Sequence, residues 1–145
     1  MPQVSRSLLL PYSAHEMFML VNDVARYREF LPFCIASEVV AAREDEVQAR
    51  IAFSRMGLEQ ALMTRNLLLP PERIAIEFLS GPFDFLRGQW QFQALGEVAC
   101  KVQFEVEFQV QARFLQFVAG PALQQAAGQT IEAFQKRAVQ IYGRR

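Results

Sequence analysis

The sequence predicts an α+β fold: a curved antiparallel sheet of about seven strands wrapped around one long C-terminal helix. Three observations point there. First, the middle of the chain is a series of short segments with period-two alternation, separated by turns of hairpin length. Second, the clearest of these sets Cys100, Val102, Phe104, Val106, Phe108 and Val110 against Lys101, Gln103, Glu105, Glu107, Gln109 and Gln111. One face of that strand is buried and the other wet, as in an antiparallel sheet covered on one side. Third, the stretch from about Arg113 to Tyr142 carries an apolar stripe at steps of three and four. Leu115, Val118, Ala122 and Leu123 lead into Ala126, Ala127, Thr130 and Ile131, then Phe134, Ala138 and Ile141. Gln116, Gln125, Gln129, Glu132, Lys136, Arg137 and Gln140 take the opposite face. Only a sheet offers a surface large enough to cover such a stripe.

Taken in order, residues 2–10 form a first strand, broken at Pro11-Tyr12. Ser13 and Glu16 have the spacing of a capping box. It opens a helix over about 14–24 that turns Met17, Phe18, Leu20, Val21 and Val24 inward. His15, in its first turn, reads as exposed and structural. A second short helix, about 25–31, holds Tyr27, Phe30 and Leu31 and stops at Pro32. The run Phe30-Leu31-Pro32-Phe33-Cys34 is unusually apolar for a loop, so it either plugs into the sheet or lips a pocket. Strands follow over 35–43, 46–55, 58–69, 73–79, 83–95 and 100–111, with turns at Glu44-Asp45-Glu46, Gly57, Pro70-Pro71, Ser80-Gly81-Pro82 and Gly96. In the long helix, Gly120-Pro121 predicts a kink or a restart. The small residues Ala122, Ala126, Ala127 and Gly128 let strands approach or leave a gap beside it.

Composition narrows the function. The chain has 145 residues, enough for one domain, 1–145, with a real core. A 52% hydrophobic fraction and 13 Phe fit a dense core, an apolar cavity or a docking patch. Formal net charge is zero, which argues against DNA as a partner. Locally, Arg50, Arg55 and Arg65 fall on neighbouring strands and could form a basic patch. Two cysteines make no disulfide framework: Cys100 reads as buried, and Cys34 as buried or at a rim. No apolar run is long enough to span a membrane and no signal peptide is evident, so a cytoplasmic setting is expected, peripheral to the inner membrane at most.

Catalysis requires converging acid–base or nucleophilic groups. With one His, no metal-ligand spacing, no Gly-rich phosphate loop and no Gly-x-Ser-x-Gly, the expectation is a non-enzymatic binding protein. A sheet curled round one helix is not filled everywhere by that helix, and what remains is an apolar pocket. From the loop, Phe30, Leu31 and Phe33 are expected to line it. Phe53, Phe78, Phe83, Trp90 and Phe92 come from strands, and Ala127, Ile131 and Phe134 from the long helix. Residues 25–34 and the turn at 80–86 are the expected entrance, with Phe30, Leu31, Phe33, Phe83 and Phe85 exposed there for weak membrane-surface contact.

Three blocks then carry a resemblance across essentially the whole chain. They are Tyr27-Arg28-Glu29-Phe30-Leu31-Pro32-Phe33-Cys34, Gly81-Pro82-Phe83-x-x-Leu86-x-Gly88-x-Trp90-x-Phe92, and Ala133-Phe134-x-x-Arg137-Ala138-x-x-x-Tyr142. With the opening Met1-Pro2-Gln3-Val4-Ser5-Arg6, they resemble START-like proteins of the bacterial RatA type, grouped with mitochondrial coenzyme Q-binding proteins. Arg28 stands where that family usually has Pro. The resemblance implies a START-like helix-grip fold and two descriptions of function. One is holding ubiquinone or a similar apolar lipid, with no covalent cofactor, in support of respiration. The other is that of a toxin binding the large ribosomal subunit and blocking its joining to the small one. The wider superfamily also holds polyketide cyclases. Of these, a hydrophobic small-molecule ligand is the leading expectation, ribosome association the alternative, and a cyclase-like enzyme the third.

Overall fold

The computed structural model describes residues 3–55, 58–114 and 120–145, without the side chains of 55, 58, 114 and 120–123. Strand β1 spans Gln3–Leu10 and is followed by helix α1, Ala14–Asn22, and a 3₁₀ helix, Val24–Glu29. Then come β2 (Cys34–Arg43), β3 (Glu46–Arg55), β4 (Leu58–Leu69), β5 (Arg73–Ser80), β6 (Phe83–Ala94) and β7 (Cys100–Val110). A 3₁₀ turn, Ala112–Phe114, precedes helix α2, Gly120–Tyr142. All pairings are antiparallel and the order across the sheet is β1-β7-β6-β5-β4-β3-β2. The first strand thus closes onto the last, and β2 is left at the opposite edge.

Local chemistry explains the elements. The capping box forms in full: Glu16 N–H donates to Ser13 Oγ at 3.0 Å, and Ser13 N–H to Glu16 Oε1 at 3.0 Å. Met17, Phe18, Leu20 and Val21 are buried as the helical period requires, and His15 is exposed. Along β7, burial alternates without exception from Cys100 to Val110. The second short helix is 3₁₀ and ends at Glu29, so Phe30 and Leu31 lie beyond it. Helix α2 is described from Gly120, and Ala112–Phe114 is a 3₁₀ turn rather than part of it. The kink or restart expected before Pro121 lies outside the described residues. The expected stripe positions Leu115 and Val118 lie outside the described residues, and Ala122 and Leu123 outside the described side chains. Ile131, Phe134 and Ala138 are buried as expected. Ile141 is exposed instead, because Tyr142 takes the inward place at the helix end and packs against Tyr12.

Two glycines mark close approaches. A Cβ on Gly88 would stand 2.7 Å from the Glu105 carbonyl oxygen, so β6 and β7 pair tightly only with glycine there. At Gly128 a Cβ would come within 3.2 Å of the Arg6 guanidinium, which lies across α2.

The C-terminal end is clasped to α1. Arg145 donates to both carboxylate oxygens of Glu16, at 2.7 and 2.8 Å. Tyr142 O–H donates to the Glu16 carbonyl at 2.9 Å, and Tyr12 O–H to the Gly143 carbonyl at 2.7 Å. The Arg145 hydrogen bonds, with the Ser13 backbone N–H behind them, hold the Glu16 carboxyl down to about 2.

Candidate functional site

The helices do not cover the concave face evenly. Phe18 of α1 packs edge-on against Phe92, with ring centroids 5.8 Å apart, and α2 runs over β1 and β7. The inward faces of β3, β4 and β5 are left facing a cavity of about 270 Å³, far more than a few waters fill. Its sheet wall includes Ile51, Leu62, Ile76 and Val106. Ala126, Ala127, Thr130 and Phe134 of α2 form the opposite wall, where small side chains leave the space open. Leu31, Pro32, Phe33 and Cys34 stand at one end.

Of the residues expected from sequence, Leu31, Phe33, Phe53, Phe83, Trp90, Ala127 and Phe134 do line this cavity. Phe30, Phe78, Phe92 and Ile131 are not among its lining residues, each for a packing reason. Phe30 turns onto Phe134 and Tyr27, with centroids at 5.0 and 6.1 Å and the Arg137 guanidinium 5.1 Å from its ring. Phe78 meets the edge of Phe83, Phe92 is covered by Phe18 and Trp90, and Ile131 is buried in the core. The expected exposure at the entrance also needs correcting. Phe33 is 48% exposed, but Phe83 is buried, and Phe30, Leu31 and Phe85 are half-buried.

All three sequence blocks meet in space at this end. Tyr27 lies edge-on to Phe134 at 5.3 Å, and Trp90 does the same from the sheet at 5.0 Å while stacking on Phe104 at 4.4 Å. Aromatic pairs of this kind add about 0.5–1.5 kcal/mol each beyond their burial. Arg137, expected on the wet face, bends inward and donates to Glu29 at 2.7 Å, with Arg26 on the same carboxylate at 3.0 Å. Those two cations hold the Glu29 carboxyl below its ordinary range. Arg28 has its own reason: its backbone N–H donates to Ser37 Oγ at 3.1 Å, a bond proline would forfeit. Phe33 adopts φ 64°, rare for a bulky side chain, and its carbonyl accepts from Ser54 N–H at 3.0 Å. That bond ties the apolar loop to the end of β3.

Chemically the lining is quiet. Among the described residues no Asp, Glu, His, Lys or Arg lines the cavity, and no group of acidic, His and Cys side chains is placed to hold a metal. Burial pushes the Tyr27 phenol up, and its O–H donates to the Val21 carbonyl. Burial also raises the Cys34 thiol, leaving little thiolate at neutral pH. Sequence reasoning missed the two polar side chains in the wall, Thr64 and Asn66, which are buried at 4% and 8% exposure. The available signal was parity: they alternate with Leu62 and Leu68 on the inward register of β4.

Two of the three arginines of the expected basic patch, Arg50 and Arg65, are paired with carboxylates. Arg50 lies 3.7 Å from Glu38, and Arg65 lies 3.5 Å from both Glu46 and Glu77. Arg87 pairs likewise with Glu107 at 3.1 Å. Arg55 lies outside the described side chains. No helix among the described residues is long and apolar enough to cross a membrane.

Comparison with known proteins fits this architecture. The crystal structure of a Thermus thermophilus protein superposes with a TM-score of 0.83 at 19% identity, covering 96% of this chain and 98% of that one, which shows the fold. The ribosome association toxin RatA of Pseudomonas aeruginosa is 44% identical over 140 residues, 97% of each chain. More distantly, the mitochondrial coenzyme Q-binding protein COQ10 homolog B of Xenopus laevis is 24% identical over 146 residues, 98% of this chain and 60% of that one. The family described as polyketide cyclase / dehydrase and lipid transport matches residues 10–135, nearly the whole sheet and most of α2. With a sheet gripping its last helix, and a sequence match running through both, this chain belongs to that family.

Proposed function

We propose that this protein acts on the ribosome, associating with the large subunit and opposing its joining to the small one. The observation that carries this reading is the 44% identity, over 97% of both chains, to a protein named for ribosome association. That ranks it above the quinone reading, whose relative is at 24% identity. With zero net charge and both Arg50 and Arg65 paired, the contact depends little on a broad phosphate-binding face. Its salt dependence is therefore shallow. Sucrose-gradient sedimentation with purified bacterial subunits tests this. The expected result is co-migration with the large subunit and a loss of joined ribosomes. Joined ribosomes left unchanged at saturating protein, with none of it sedimenting, would overturn the reading.

A second reading rests on the cavity: the protein also holds an apolar small molecule, non-enzymatically, in the manner expected for a quinone or related lipid. The apolar lining and the absence of Asp, Glu, His, Lys and Arg among the described lining residues support it. Solvent extraction of the protein purified from its own host, followed by mass spectrometry, checks it. A protein that carries no lipid and binds none would count against it.

A further inference from the structure

Resting on that second reading, we infer that the cavity selects a neutral, largely apolar ligand bearing a hydrogen-bond acceptor, recognised by the Thr64–Asn66 pair. Both side chains are more than nine-tenths buried, and both line the cavity. Thr64 Oγ1 donates to Asn66 Oδ1 at 3.0 Å, which fixes the amide and occupies its oxygen. The Asn66 amide nitrogen, with two N–H donors, has no partner among the described residues. Three of the other polar side chains on the wall are spent on backbone, which leaves the Trp90 indole N–H as the one further donor among the described lining side chains. Tyr27 O–H donates to Val21, Thr130 O–H to Ala126 at 3.2 Å, and the Cys34 thiol to Ala36 at 3.4 Å. A donor on the cavity wall with no protein partner is free to bond an acceptor carried by a ligand.

The charge of the ligand follows from the same wall. No charged side chain among the described residues lines the cavity, so a carboxylate or phosphate entering it would lose its hydration without gaining a counter-charge. A carbonyl loses far less and gains the Asn66 N–H. The ligand class is thus a ketone, quinone or ester on an apolar body, rather than a free acid or a charged lipid headgroup.

Trp90 is the chain's sole tryptophan and lines the cavity, so its indole N–H resonance reports occupancy in the ¹⁵N-labelled full chain. Three probes on one ring system separate the possibilities: naphthalene, 2-acetylnaphthalene and 2-naphthoate at pH 8. The expected result is 2-acetylnaphthalene binding about tenfold or more tighter than naphthalene, with 2-naphthoate weakest. In Asn66→Leu the ketone's advantage falls below about threefold while naphthalene binds as well or better. An advantage that survives Asn66→Leu, or tightest binding by 2-naphthoate, overturns the inference. Should Asn66→Leu not fold, Asn66→Ala, which removes the same amide without adding bulk, decides in the same way. If naphthalene binds but the ketone gains nothing, only this inference fails. If neither neutral probe moves Trp90, the cavity reading fails with it.

Discussion

The two halves of the concave sheet face are built from similar strands and end in different states. On the β1-β7-β6 side, inward side chains such as Cys100, Val102 and Phe92 are packed to 2% exposure or less. On the β3-β4-β5 side, Ile51, Leu62 and Ile76 are only partly buried and border open volume. The strands themselves do not cause the contrast, since both sets alternate and both are fully paired. It comes from the helices: α2 lies over β1 and β7, and the side chains it turns toward the far half include the small Ala126 and Ala127. One element therefore makes both a core and a cavity, depending on which side chains it presents.

That contrast can be broken most directly by truncation on each side. Phe134→Ala removes the ring on which Tyr27, Phe30 and Trp90 converge. It should cost about 3–5 kcal/mol in urea unfolding. Leu62→Ala, at the cavity wall, should cost about 2 kcal/mol or less, because part of its surface already lacks partner atoms. Equal costs would mean that the two halves are packed alike.

Ala127→Trp sharpens the same comparison from the opposite direction. At a packed site an added ring costs about 1–3 kcal/mol, and at a cavity wall less. The variant should melt close to wild type, lose binding of the neutral naphthalene probes and keep its sedimentation with ribosomal subunits. A large drop in melting temperature would show that the helix and this half of the sheet are already in contact. Loss of the ribosome effect along with ligand would tie the two activities together.

The smallest effect is expected at the C-terminal clasp, on the packed half. Arg145 lowers the Glu16 carboxyl from its ordinary 4.5 to about 2. A carboxyl depressed on folding contributes stability above about pH 4.5 and loses it as pH falls toward 2. Glu16→Gln should therefore melt slightly below wild type at pH 6 and level with it at pH 2. The gap should shrink in high salt, because the pair is solvent-accessible. A gap that persists at pH 2 would assign the effect to the capping box rather than the charge.

Much of this molecule was legible in its sequence. Alternation in β7, the Ser13–Glu16 box and the turns at Pro70-Pro71 and Ser80-Gly81-Pro82 depend on neighbours within a few positions, and each formed where the pattern put it. The expected turn at Gly57 lies outside the described residues. The aromatic wall at Trp90 and Phe134 was legible for the same reason, since parity and helical phase say which side chains face inward. What only tertiary structure decided was which inward residues meet protein and which meet space. Phe92 and Trp90 share a face two residues apart, yet Phe18 covers the first and the cavity borders the second. Arg137, polar and on the outer phase of its helix, was drawn in by Glu29, 108 positions earlier at the end of the 3₁₀ helix. Thr64 and Asn66 look like ordinary polar strand residues until the helix leaves their half of the sheet uncovered. Periodicity fixes the direction of a side chain relative to its own backbone. The distance to whatever lies opposite is set by how separate elements pack, and no local pattern carries it.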